Sequence, residues 1–163
     1  MSILLVNWID GENDPFTLFN HCLSEQLDAF GRSTITLNLD SNFGENLKHA
    51  LQSEIEFAFC WQGLGSSLKF NNSRQKTVWD EIQVPLVCLH GDHPCHMVAN
   101  HSTDSEFVHH TYSAKSFAHY AEQYVPRSKP PTTINFPNLF HSHENCTAAY
   151  TGDFFVLSLI HIS

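Results

Sequence analysis

Val84-Pro85-Leu86-Val87-Cys88-Leu89-His90-Gly91-Asp92-His93-Pro94 is the stretch on which the fold turns. Residues 84–89 form a short, unbroken apolar run, and turn chemistry follows at once. That pattern predicts a strand covered on both faces, as in a parallel sheet. Just upstream, residues 73–82 read as a helix with Val78, Trp79 and Ile82 inward. Before it, Ile55-Glu-Phe-Ala-Phe-Cys-Trp61 is strongly β-prone and predicts a further strand.

Working outward, the same alternation extends in both directions. Residues 3–8 give a first buried strand, and Asp14-Pro15 starts a helix that carries Phe16, Phe19, Leu23, Leu27 and Phe30 on one face before Gly31. Residues 34–39 alternate polar with apolar as a one-face-covered strand does, and residues 46–51 predict a short helix. Downstream, residues 106–112 predict a strand and residues 113–124 a helix with Phe117, Tyr120, Ala121 and Tyr124 on one side. Residues 134–136 complete the series. Strands and helices alternating at this spacing imply right-handed crossovers and an α/β, Rossmann-like three-layer domain with a mainly parallel sheet. Its core is expected to include Leu5, Phe19, Leu23, Phe57, Phe59, Val87 and Leu89.

Composition narrows the function. The 163 residues are 42% hydrophobic and 15% charged, which fits one packed domain. Eight Lys and Arg against seventeen Asp and Glu leave a formal net charge of −9, so nucleic acid is not an expected partner. Five Cys form an odd set with no Cys-x-x-Cys pair, which favours a reducing, cytoplasmic setting over a disulfide framework. No basic leader precedes the apolar residues 3–6, and no apolar run is long enough for a membrane helix.

Open parallel sheets bind ligands outside the carboxyl ends of their strands. The loops at 7–14, 63–67, 90–101 and 136–143 are therefore the functional candidates. In the third, Gly91 permits a sharp exit and Pro94 stiffens the turn that carries Asp92. Three readings compete there. Asp92 and His93 are candidate catalytic residues, able to accept a hydrogen bond from a hydroxyl or to act as a base. Alternatively, His90, Asp92, His93, Cys95 and His96 have the donor atoms of a metal site, although neighbouring loop residues rarely all converge and no metal is expected. In the third reading Asp92 caps a turn and the histidines are solvated. Gly63-Leu-Gly-Ser-Ser67 follows a strand as phosphate loops do, but lacks the third Gly and the Lys-Ser/Thr ending. The first strand leads into Trp8 and a run of acids that would repel a pyrophosphate, which argues against a dinucleotide enzyme.

The succession of Gly63 and Gly65 after a strand, a helix bearing Trp79, Val84-Pro85, and a strand ending in Gly91-Asp92-His93-Pro94 resembles the N-terminal domain of GT-B glycosyltransferases. Within that group it is most similar to the bacterial spore-maturation-protein-like enzymes. The resemblance covers mainly residues 54–96. It implies a domain that holds a small-molecule or glycan acceptor. The nucleotide-sugar donor would then occupy a separate C-terminal domain, with no cofactor in this one. Of the family pattern Gly63, Gly65, Asp92 and Pro94 carry over; Trp8, His90, Gly91 and His93 join them as expected site residues from their place at the carboxyl ends of the strands. The other class of reading is a stand-alone flavodoxin-like or receiver-like module that binds a ligand or partner without catalysis. Residues 157–163, Leu-Ser-Leu-Ile-His-Ile-Ser, resemble the translation of a transposon end used in sequencing libraries. On that expectation the native domain spans 1–156, and a C-terminal domain is missing. The competing expectation is a genuine last strand over 154–162.

Overall fold

Apolar runs that cannot face water on either side must be paired on both edges and covered on both faces, and the described residues achieve this with a six-stranded sheet. The computed structural model describes residues 1–8, 15–70 and 76–134. In order these form β1 (Ser2–Asn7), α1 (Pro15–Ala29), β2 (Ser33–Asn38), α2 (Phe43–Ala50) and β3 (Ile55–Trp61). Then follow α3 (Val78–Ile82), β4 (Leu86–His90), α4 (Val98–His101), β5 (Val108–Tyr112), α5 (Lys115–Tyr124) and β6 (Thr132–Thr133). Every pairing is parallel and the strand order is β2-β1-β3-β4-β5-β6. This is an α/β, Rossmann-like three-layer fold, with the chain reversing direction across the sheet between β1 and β3.

Period-two alternation divides each central strand between two cores. Leu4, Val6, Ala58, Cys60, Leu86, Cys88 and Val108 pack beneath Leu47 and Ala50 of α2 and Val78 and Trp79 of α3. On the opposite face Ile3, Leu5, Phe59, Trp61, Val87 and Leu89 meet Leu23 and Leu27 of α1, with Phe16, Phe19 and Phe57 at the margin. All seven expected core residues fall in this second cluster. Cys60 and Cys88 sit side by side on β3 and β4 as free thiols 3.4 Å apart, and burial pushes the Cys60 thiol up.

Local chemistry sets the helix ends. Thr77 caps α3 reciprocally: its hydroxyl accepts from the Asp80 backbone, and the Asp80 carboxylate accepts from Thr77 N. Gly31 leaves α1 at φ +73°. Three expectations need correction. Phe30 is 53% exposed because α1 ends at Ala29, so it no longer follows the helical stripe. Tyr124 is 65% exposed, since Ala118, Ala121 and Val125 make the buried side of α5. Residues 98–101 form a short helix that the His-rich loop did not announce. The last strand pairs at Thr132–Thr133, and Ile134 N donates to the Tyr112 carbonyl. Asp14, residues 73–75, Phe136, residues 136–143 and the proposed tail 157–163 lie outside the described residues. Among the described residues no helix is long and apolar enough to cross a membrane.

Candidate functional site at the carboxyl edge of the sheet

Because all strands are parallel, β1, β3 and β4 end on the same edge, and as neighbours they deliver Trp8, Gln62–Gly65 and Gly91–Pro94 there. Trp8 is 49% exposed directly after β1. Gly91 and Asp92 are exposed, His93 is half-buried and Pro94 is buried. The His93 ring leans on Tyr120 and Phe117 of α5, at 4.4 and 5.2 Å between centroids, and its Nδ1 accepts from Cys95 N. Pro94 and these ring contacts anchor the loop, so the Asp92 carboxylate projects from a fixed base. A Cβ on Gly91 would lie 3.4 Å from Gln62 Nε2, so the β3 and β4 loops adjoin.

The two glycines after β3 play a different part from the one expected. A Cβ on Gly63 would stand 2.3 Å from the Asn100 carbonyl and 3.1 Å from the His90 ring, so its bare Cα is what lets α4 close over the sheet. Gly65 has φ +77°, its carbonyl accepts from Trp79 Nε1 at 2.8 Å, and its Cα faces Val6 and Leu39. The loop's amides turn back on its own carbonyls: Leu64 N donates to Trp61 O and Ser66 N to Gly63 O. It is a packed turn behind the rim and not a cradle for phosphate. A Gly63→Ala substitution should therefore cost 2 kcal/mol or more, roughly the left-handed penalty plus overpacking, whereas Gly31→Ala, with nothing within 4 Å, should cost about 1 kcal/mol. Urea midpoints of the two variants against the parent chain check the difference.

His90 belongs to the interior as well. It is fully buried, in register with Tyr112, and stacks on His101 at 4.0 Å and on Tyr112 at 4.8 Å between centroids. His110 Nε2 lies 3.0 Å from the Thr103 carbonyl, and its Nδ1 lies 2.9 Å from His90 Nε2. A carbonyl only accepts, so the neutral His110 carries its proton on Nε2 and His90 donates from its own Nε2. The His90 Nδ1 lone pair is then left buried with no partner, as observed. His101 Nδ1 meets the Tyr112 hydroxyl at 2.9 Å. Burial, reinforced by the neighbouring rings and by Arg127, holds His90 down to about 2 and His110 to about 3, and burial with Arg127 lowers His101 to about 4. These rings are a neutral polar core under α4. Among the described residues no three His, Cys, Asp or Glu side chains converge on a metal position.

A second polar cluster supports the rim from behind. Buried Asn20 of α1 donates to the Val6 carbonyl at 3.1 Å and accepts from Trp61 Nε1 at 3.0 Å, and Asn7 bonds Thr17. It locks the carboxyl ends of β1 and β3 to α1. Its trace in the sequence is an Asn within the apolar stripe of Phe16, Leu23 and Leu27. No known protein family, no curated protein and no solved structure matches this chain.

Proposed function

We propose that the chain is the acceptor-holding half of a glycosyltransferase, with Asp92 as the group that receives and orients an acceptor hydroxyl. The observation that carries this reading is Asp92 itself, an exposed carboxylate on an anchored loop at the carboxyl edge, where open α/β sheets bind their ligands. In transfer, Asp92 takes the proton of the acceptor hydroxyl as its oxygen bonds the anomeric carbon of the donor and that carbon's bond to the nucleotide phosphate breaks, the nucleotide leaving with the bonding pair; His93, whose Nδ1 already accepts from Cys95 N, stands beside it as a donor from Nε2. Trp8 offers an apolar face on the same edge. The donor belongs to a second domain, so the 163-residue chain alone is expected to transfer no sugar from any nucleotide sugar. Turnover by this chain would contradict the half-enzyme assignment.

The direct test is calorimetric titration with neutral mono- and disaccharides. A hydrogen bond to a charged group contributes about 1.5–3 kcal/mol, so Asp92→Asn should weaken saccharide binding roughly tenfold to a hundredfold with little change in Tm. Equal affinity in the two proteins would remove Asp92 from the site. The second reading, a flavodoxin-like or receiver-like binding module, is favoured by one observation. The order β2-β1-β3-β4-β5 is the doubly wound order in which flavin sits at the β1/β3 reversal. Quenching of flavin mononucleotide fluorescence on addition of the chain, with no saccharide binding, would select it.

A further inference from the structure

At the opposite, amino end of β5 and β6 lies a cavity of about 30 Å³, more than one water needs. Its polar lining includes Thr103, Asp104, Ser105, Arg127, Lys129 and Thr132. All but one of these groups already has a partner. The Thr103 hydroxyl meets Ser66, that of Ser105 donates to Asp80, and that of Thr132 meets Thr111. Lys129 Nζ donates to the Glu106 carbonyl. The Asp104 carboxylate, the one anion of the lining, is turned to Ser128, accepting from its amide at 3.0 Å and its hydroxyl at 2.5 Å. Arg127 is the exception. Its Nε and both Nη atoms are buried and meet no well-aligned acceptor among the described residues; the guanidinium carbon lies 5.9 Å from the Tyr112 ring centroid, and its charge acts against the burial that raises the Tyr112 hydroxyl.

A buried guanidinium with no carboxylate or carbonyl partner carries a desolvation cost that one phenol ring does not repay. The acceptor that matches a planar fork of donors is an oxyanion, bound through two parallel N–H···O bonds. Lys129 places a second cation on the same cavity, and the Thr103 and Thr132 hydroxyls, which can accept from Ser66 and Thr111, are then able to donate into it, which supplies more donors than a carboxylate uses. We propose that this cavity is a phosphate-group site, with Arg127 as its principal ligand and Lys129 as its second charge. Asp92 is not among its lining residues, and the site does not depend on the glycosyltransferase reading.

The test is thermal unfolding of the full chain with inorganic phosphate against potassium chloride of equal ionic strength. Phosphate should give a saturable rise in Tm of roughly 5 °C that chloride does not give. Ribose 5-phosphate forms a second arm. A rise with both probes means that the phosphate group alone is read, and a rise with the sugar phosphate alone means that the site takes an organic phosphate. Arg127→Met removes an unpaired buried charge, so it should fold with a Tm equal to or above that of the parent and lose the phosphate response. Three results would overturn the proposal: no rise beyond chloride with either probe, a phosphate rise retained in Arg127→Met, or failure of Arg127→Met to fold, which would make the guanidinium a structural member of the core.

Discussion

Urea unfolding at a series of pH values should show stability holding steady above about pH 6.5 and then falling by about 3 kcal/mol per pH unit between roughly pH 5.5 and 4.5. The sign follows from the direction of the shifts. His90, His101 and His110 have folded values of about 2, 4 and 3, all below the ordinary histidine value. Above that value both states are neutral and the full stability is present. As pH falls the unfolded chain takes up protons that the folded core refuses, so the unfolded state gains. His90 and His110 each add about 1.4 kcal/mol per unit, and His101, half open to solvent, adds a discounted share. The slope eases only below about pH 4, where His101 protonates in the folded chain. There Asp80, where burial pushes up but the bonds from Ser105 and Thr77 together hold it below the usual carboxylate range, and Asp104, held low by Ser128, begin to add losses of their own. A domain of ordinary stability should unfold by about pH 4. His90→Gln should flatten the slope by nearly half, and a profile level from pH 7 to 4.5 would show that the rings are hydrated.

Trp79→Ala should destabilise the chain by about 3–5 kcal/mol, enough to unfold a marginal domain outright. Trp79 is fully buried in the α2/α3-side core, and its indole N–H is the partner of the Gly65 carbonyl. Truncation opens a cavity and strips that carbonyl of its donor. Trp79→Phe separates the two losses, since it keeps most of the packing and should cost only about 1–2 kcal/mol. Denaturant midpoints measure both. An alanine variant less than 1.5 kcal/mol below the parent would mean that the loop at Gly63–Gly65 does not rest on this side chain.

Strands buried on both faces advertise themselves by composition, which is why residues 55–61 and 84–89 located the parallel sheet and why the α1-side core was readable residue by residue. Strand order was not readable, because neighbours in a parallel sheet are chosen by crossovers that leave no local mark. The glycines show the limit at the site. Gly63 and Gly65 looked like ligand contacts since small residues serve both close ligand approach and close packing, and only the position of Asn100 and Val6 decides between them. The histidines show it again. Val108, His110 and Tyr112 share one face of β5 through simple alternation, but their meeting with His90 depends on the β4/β5 register and on the unannounced helix at 98–101. The exposed position of Asp92 was legible because Gly and Pro on either side of an acid after a buried strand mark an exit whatever the neighbours are.

Ligand bound at the carboxyl edge around Asp92 would be seen residue by residue in amide chemical-shift mapping of the labelled chain. Titrated with neutral mono- and disaccharides, the chain should show saturable shifts concentrated at Trp8, Gln62 and Gly91–His93, and these should vanish in Asp92→Asn. Shifts confined to other parts of the sheet, or none at the carboxyl edge with any saccharide, would contradict binding there.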